Sequence, residues 1–421
     1  MSELLSALIP ALRWLLLAGE AALALPLLYL LALAIGAALA DHRAHKAIAL
    51  DAPPTATFAI IVPAHDEELL IGATLDSLAQ LEYPLGCYAV HVVADNCTDN
   101  TAAIARALGD QIHTQVHERT DAINRGKGHA LAWMFDLLAA GETRYDAYVI
   151  LDADTVVAPS LLRALNRGLA SGAQALQSHN AVLNAGESAT TALRWMALSL
   201  VNFIRPLGRT TLGGSSTLTG NGMCLTPQLL ACHPWQAFGL SEDYQYYLTL
   251  IASGERIRFV PDAQVRSVMP TTVRQLQAQD IRWETLSPDA AGWQRRIAWR
   301  LLVDGLCTRD WVRLDALAEL LTPPLSALVG ACVLALVAAI ALLAPVQLLI
   351  GVLLCALLLV YVGSAFYLLR PPGGVYRALI HAPAYVMRKL WVYFVLRRRR
   401  KHTSAWVRTA RTTATSGDHA A

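Results

Sequence analysis

Ala147-Tyr148-Val149-Ile150-Leu151-Asp152-Ala153-Asp154 is an apolar run that ends in two carboxylates, and the reading of the whole chain turns on it. Its length and β-branched content suit a buried strand. In extended backbone, side chains at i and i+2 share a face, so Asp152 and Asp154 can reach one hard cation or the diphosphate it carries. Alone, an Asp pair behind a strand is as readily a turn starter or a solvated loop.

The surrounding sequence shifts that balance. Apolar strand-like runs also occupy residues 58–62, 88–94 and, more weakly, 112–117, and residues 67–80, 98–108 and 127–139 between them carry apolar positions at helical spacing. Such alternation predicts an α/β domain with a largely parallel sheet, whose ligands bind beyond the carboxyl ends of the strands. Asp66 and Glu67 follow the first run, Asp95 ends the second, and Asp152 and Asp154 end the fourth. Acids from independent segments are thus expected on one rim.

Composition adds a membrane. Of 421 residues 55% are hydrophobic and only 16% charged, too apolar a balance for an ordinary soluble enzyme. Residues 15–40 are almost wholly apolar apart from Glu20 and Pro26, long enough to span a bilayer. With no basic segment before the run, and His42, Arg43, His45 and Lys46 after it, a retained anchor is expected rather than a signal peptide. Residues 325–344 and 346–369, divided by Pro345, read as a hairpin; Arg309 and Arg313 before it, and Arg370, Arg377 and the basic run 397–401 after it, put both ends and the middle domain in the cytoplasm. Residues 379–396, broken by His381, Arg388 and Lys389 but carrying Trp391, Tyr393 and Phe394, fit a helix in the membrane plane. Beside such segments the basic run suits anionic headgroups, and a net charge of +2 gives no support for nucleic acid.

Seven cysteines without a CxxC pair predict neither a disulfide framework nor a zinc site, and Cys97 reads as a small space-filling side chain. No GxxxxGK[ST] loop is present, and Gly126-Lys127-Gly128 is too short for a dinucleotide fingerprint. Lys127, before a helix, can face a phosphate, a base or solvent. His65, His129 and His179 lack the spacing of metal ligands.

Two further stretches complete a pattern: Ser241-Glu242-Asp243, and Gln279-Asp280-Ile281-Arg282-Trp283. With Asp95 and Asp152-Ala153-Asp154 they resemble the D, DxD, [TS]ED and QxxRW set of membrane-bound family 2 glycosyltransferases, the group of the cellulose, hyaluronan, chitin and poly-N-acetylglucosamine synthases. The resemblance runs from Phe58 to Trp283. Val93-Ala94-Asp95-Asn96-Cys97-Thr98-Asp99, Arg125-Gly126-Lys127-Gly128 and Gly220-Asn221-Gly222 are similar to a bacterial branch.

The resemblance implies a GT-A fold, a Rossmann-like and mostly parallel sheet, in a cytoplasmic domain over residues 51–290. Around it stand an anchor over 1–50, amphipathic interface helices over 291–322, a transmembrane hairpin over 323–370, and an interfacial helix with a basic tail over 371–421. It implies that Asp95 binds the uridine with Lys127 nearby, that Asp66, Glu67 and Gln279 belong to the nucleotide-sugar side, and that Asp152 and Asp154 hold the diphosphate through Mg²⁺ or Mn²⁺. Asp243 becomes the general base. The Arg282 guanidinium suits phosphate, and the flat face of Trp283 suits a sugar ring. Gly220, Asn221, Glu242 and Trp283 fall on the acceptor side. If Glu242 and Asp243 lie on extended backbone they point apart; at a helix start both favour its dipole.

Asp280 is acidic where this branch often has Arg, and Glu284 to Asp289 lacks the glycine and basic residue that many relatives carry there. Segments 188–204 and 295–321 are amphipathic and fit either membrane-interface helices or packing helices of the soluble domain. The leading expectation is an inverting, metal-dependent enzyme of the bacterial inner membrane that builds a β-linked cell-surface polysaccharide or its precursor from a UDP-sugar, with membrane lipids and other envelope-biosynthesis subunits as partners. The second is transfer of one sugar to a membrane lipid, and the third a silent scaffold.

Overall fold

The computed structural model describes residues 2–40, 53–109, 112–239, 241–271 and 288–399. They divide into a sheet unit, Asp41–Asn184 with Ser215–Ile297, and a helical unit, Met1–Ala40 with Ala185–Gly214 and Ala298–Thr403.

In the sheet unit, the central strands are apolar runs that bury nearly every side chain, as a sheet covered on both faces requires, while Thr114–Arg119 and Ile257–Ser267 are more polar and more exposed. The strands are β1 (Phe58–Ala64), β2 (Tyr88–Asp95), β3 (Thr114–Arg119), β4 (Ala147–Ile150), β5 (Thr155–Val157), β6 (Ala175–Val182), β7 (Met223–Leu225) and β8 (Ile257–Ser267). Their order is β3-β2-β1-β4-β7-β6-β8-β5. β1 runs parallel to β2 and β4, β2 to β3, and β6 to β8, while β7 is antiparallel to both β4 and β6 and β5 to β8. The expected α/β, mostly parallel sheet is therefore present, with two short antiparallel strands added.

One of these positions the site. Because β7 runs against β4, Ile150 at the end of β4 pairs with Met223 at the start of β7. The turn before β7, Gly220 to Gly222, consequently lies at the same rim as Asp152.

Helices Ile71–Leu78, Thr101–Gly109 and Lys127–Ala140 connect the parallel strands. Ile71 and Leu75 on the first pack into the core with Phe58, Ile60 and Val90. Buried Asn166 ties the opposite end of the unit: its Oδ1 accepts from the backbone N–H of Ala56 (2.9 Å), and its Nδ2 donates to the carbonyl of Pro53 (2.9 Å).

In the helical unit, Leu8–Leu39 of the helix Ser2–Leu39 and the helix Pro345–Leu369 are long and apolar enough to cross a membrane. Trp311–Leu321 and Leu325–Ala341 qualify together, bent by 67° at the break between them. Segment 188–204 falls in this unit: Ala189–Ser199 continues through a π-helical stretch, Leu200–Ile204, into Arg205–Thr211. A Cβ at Gly208 would stand 2.1 Å from the carbonyl oxygen of Leu33, so backbone meets backbone there.

Among the buried charges of this unit are two ion pairs. Arg205 donates to Glu319 Oε1 (2.9 Å) and to the Tyr361 hydroxyl (2.9 Å). Arg209 donates to Asp315 Oδ2 (2.7 Å), whose Oδ1 accepts from the Tyr29 hydroxyl (2.9 Å).

Candidate active site

At the carboxyl ends of β1 and β2 the backbone turns through unusual conformations. Asp66 (φ 54°) and Asn96 (φ 52°) take the left-handed region that Asp and Asn tolerate better than other side chains. Asp66 accepts from the Thr98 backbone N–H at 2.6 Å. Burial pushes its carboxyl up, but the Thr98 hydrogen bonds and the neighbouring His65 outweigh that and hold it below the usual range. The Glu67 backbone N–H donates to the Thr101 hydroxyl (2.8 Å), which closes the same turn from the other side.

Asp95 is buried and receives Arg119 Nη1 at 2.6 Å and Asn96 Nδ2 at 3.0 Å. Arg119 stands opposite Asp95 across the β2–β3 ladder. Its other nitrogen donates to Asp121 Oδ2 (2.9 Å), and Asp121 is held down to about 2 by the N–H of Asn124, the Asn124 side chain and the N–H of Ile123. With Arg119 and Asn96 both donating to Oδ1, the other carboxylate oxygen of Asp95 is an acceptor suited to a base N–H. Reading the third run as 112–117 stopped two residues short of Arg119; an arginine closing a weak strand beside an acid-ended one was the available signal.

The other half of the rim is organised by Lys127. Gly126 (φ 108°) turns the chain into the helix Lys127–Ala140, and a Cβ at Gly128 would meet the Ala237 carbonyl at 2.3 Å, so only glycine admits the 237–238 backbone. The Lys127 ammonium donates to Asp152 Oδ1 and to the Gly220 carbonyl, both at 2.5 Å, and lies 3.9 Å from Glu242 Oε1. Burial works against its charge, but Asp152, Glu242 and Asp243 outweigh burial and hold the proton more firmly than in a free lysine.

Glu242 and Asp243 open the helix Glu242–Ala252. At a helix start, unlike in extended backbone, both act electrostatically on the same ammonium. The Tyr244 backbone N–H donates to Asp243 Oδ1 (2.8 Å), and a Cβ at Gly220 would stand 3.0 Å from Asp243 Oδ2. Burial, and the carboxylates beside them, push both acids upward against the pull of Lys127. One ammonium therefore faces three carboxylates, an arrangement able to accept a proton or a further cation.

Asp152 and Asp154 remain partly exposed between buried Leu151, Ala153 and Thr155. The all-oxygen character of these two side chains suits Mg²⁺ or Mn²⁺, and a cation, the Lys127 ammonium, already rests on Asp152. Asn221 is buried within the fold: Oδ1 accepts from the Asp152 N–H (3.2 Å) and Nδ2 donates to the Ser267 hydroxyl (3.1 Å). It clamps the turn that carries Asp152. Asp66, Cys97 and Asp99 place donor atoms within 4.8 Å of one another, but the Cys97 thiol donates to the Ala64 carbonyl and Asp99 accepts from the Thr101 N–H, so this group closes a turn. His129 stacks on Phe238, and His179 is buried in β6. Gln279, Arg282 and Trp283 lie outside the described residues.

Comparison with known proteins places this geometry. A family model for "Glycosyltransferase like family 2" matches residues 53–285. The beta-monoglucosyldiacylglycerol synthase of Nostoc sp. (strain PCC 7120) is 30% identical over 250 residues, 58% of this chain and 51% of that protein. The synthase of the same name from Synechocystis sp. (strain PCC 6803) is 29% identical over 272 residues, 61% of this chain and 54% of that protein. The chain spans about half the length of the curated relatives it matches. Among solved structures, the mannosyltransferase PcManGT from Pyrobaculum calidifontis, in complex with GDP-Man and Mn²⁺, superposes with a TM-score of 0.51 at 19% identity, covering 85% of this chain and 97% of that one. That likeness is one of fold.

Proposed function

We propose, from the premise that this chain belongs to glycosyltransferase family 2, that it transfers one sugar from a UDP-sugar to a membrane lipid, with inversion at the sugar carbon. The leading expectation of a polysaccharide synthase gives way here to the second reading. The curated relatives described above are glucosyl-diacylglycerol synthases, and the chain carries its own apolar helices. Glucose and diacylglycerol are accordingly the sugar and acceptor we propose.

The observation that carries the chemistry is the convergence of Lys127, Asp152, Glu242 and Asp243 at one rim. Asp95, held in place by Arg119, accepts from the base. Asp152 and Asp154 hold a divalent cation which, when bound, offsets the charge developing on the leaving diphosphate. Asp243 takes the proton from the acceptor hydroxyl as it attacks the sugar carbon from the face opposite the diphosphate. A raised affinity for protons suits that role, since a base must hold the proton it receives. Gly220, without a side chain, leaves the approach to Asp243 open. Gln279, Arg282 and Trp283 retain the roles that the family pattern implies, on the diphosphate and the acceptor sugar or glycerol. The local wording of the motifs favours a bacterial inner membrane, and the basic residues flanking the apolar helices favour the sheet unit on its cytoplasmic side.

The test is transfer by purified protein in lipid nanodiscs from labelled UDP-glucose to diacylglycerol, with Mg²⁺ or Mn²⁺ and with Asp243→Asn as the blank. We expect label in the organic phase as a single sugar per lipid, lost on addition of EDTA. Long water-soluble product would restore the polysaccharide reading, and EDTA-insensitive transfer would remove the metal role of Asp152 and Asp154.

A further inference from the structure

We propose that Lys127 is a placeholder for the divalent cation, occupying its carboxylate in the free protein and yielding it only when cation and nucleoside diphosphate arrive together. This rests on the metal role given above to Asp152. The ammonium does not project into solvent, as a lysine at the start of a helix ordinarily does. It is drawn in against Asp152 Oδ1 and the Gly220 carbonyl, with Glu242 behind it.

Three consequences follow from ordinary electrostatics. A divalent cation approaching Asp152 meets a resident positive charge, so the free protein resists loading with metal alone. Removing that charge would leave Asp152, Glu242 and Asp243 without a counter-ion among the described residues, a strong attractor for any hard cation. A diphosphate changes both terms, because its oxygens give the cation further ligands and give the ammonium a new partner of higher charge. Lysine is suited to the exchange, being a compact charge on a flexible four-carbon stem that can swing from one oxygen to another.

The same ammonium also holds Gly220, whose missing Cβ leaves room for Asp243 Oδ2. If its swing to the diphosphate also breaks the bond to the Gly220 carbonyl, a backbone constraint beside the proposed base is released. Arrival of donor on one side of the rim is communicated to the acceptor side by a single side chain.

The experiment measures Mn²⁺ binding to the full-length protein by electron paramagnetic resonance, with and without UDP, for wild type, Lys127→Met, Lys127→Gln and Lys127→Arg, each checked for folding by thermal unfolding. In the wild type we expect UDP to tighten Mn²⁺ binding by about 10- to 100-fold, and Mn²⁺ to tighten UDP binding by the same factor, as linkage requires. In Lys127→Met and Lys127→Gln we expect Mn²⁺ to bind without UDP and the factor to fall toward one, while Lys127→Arg keeps it. Adding Asp152→Asn to Lys127→Met should abolish the UDP-independent binding. A neutral variant that keeps the wild-type dependence on UDP, or a double variant that still binds Mn²⁺ alone, overturns the proposal. Absence of Mn²⁺ from every variant even with UDP overturns the metal reading beneath it.

Discussion

Two groups of charged side chains, one in each unit, are resolved in opposite ways. In the helical unit Arg205 and Arg209 meet Glu319 and Asp315, two charges against two, with the Tyr361 and Tyr29 hydroxyls taking up remaining hydrogen bonds. At the rim of the sheet one ammonium meets Asp152, Glu242 and Asp243. A balanced group can be sealed and left alone. An unbalanced one stays in want of a proton or a cation, and that want is what a reaction can use.

The largest effect should separate activity from stability at the rim. Asp243→Asn is expected to lower transfer by about 10²- to 10⁴-fold, the usual contribution of a positioned base. The unfolding temperature should hold or rise slightly, because one of three crowded carboxylates is gone. Unchanged transfer would remove Asp243 from the reaction; a large fall in unfolding temperature would mean that the rim is built for stability after all, and the contrast would break.

The converse applies among the helices. Arg209→Met strands Asp315, both partners being almost fully buried, and should cost about 3–5 kcal/mol of stability. Arg209→Met combined with Asp315→Leu should recover most of it, since a balanced pair can be replaced by apolar volume more cheaply than it can be halved. Thermal unfolding in one detergent compares the three proteins. A double variant as unstable as the single would show that the pair is held for more than its charge.

How much of this was legible differs between the same regions. β1, β2 and β4 announce themselves as apolar runs, and the acids behind them could be assigned to one rim because parallel sheets bind ligands there. β5 and β7 have three residues each, too few for any periodicity, so the antiparallel strand that brings Gly220 to Asp152 was invisible. Lys127 stood undecided between phosphate and solvent because its partners come from segments 25 to 116 residues away, and only folding supplies those distances. Glu242 and Asp243 could not be oriented until their backbone was known to begin a helix. Arg205 and Arg209 sit in a segment with no motif, and nothing in their spacing points to Asp315 or Glu319. The fourth motif, at Gln279 to Trp283, is specific only together with the other three and lies outside the described residues.

A third buried group carries no charge at neutral pH and sets a different limit. His91 lies in β2 with its Nδ1 3.1 Å from His117 Nε2 and its Nε2 3.3 Å from the Tyr145 hydroxyl. Burial, and then His117, push its imidazolium down to about 4, and burial with Arg266 does the same for His179. The unfolded chain takes up these protons near the ordinary histidine value of about 6.5, the folded one only near 4. Stability of the sheet unit is thus complete above pH 6.5 and is lost as pH falls toward 4, by up to about 1.4 kcal/mol per pH unit for each group. Urea unfolding at pH 7 and pH 5 should show the loss, and His91→Phe should reduce it. An equal loss in that variant would assign the acid sensitivity elsewhere.

The smallest effect comes from a pair never withdrawn from water. Arg106 and Glu118 form an ion pair in the sheet unit with 52% and 60% of their side chains exposed. Solvent and salt screen both charges, and two long side chains lose freedom in meeting, so such pairs are worth about 0–1 kcal/mol. Arg106→Ala should therefore move stability by less than 1 kcal/mol, and raising salt from about 0.05 to 0.5 M should erase even that. A larger or salt-resistant change would mean that proximity alone makes an ion pair matter. In this molecule the weight of a charge is instead expected to follow from whether it is buried, and whether it is answered.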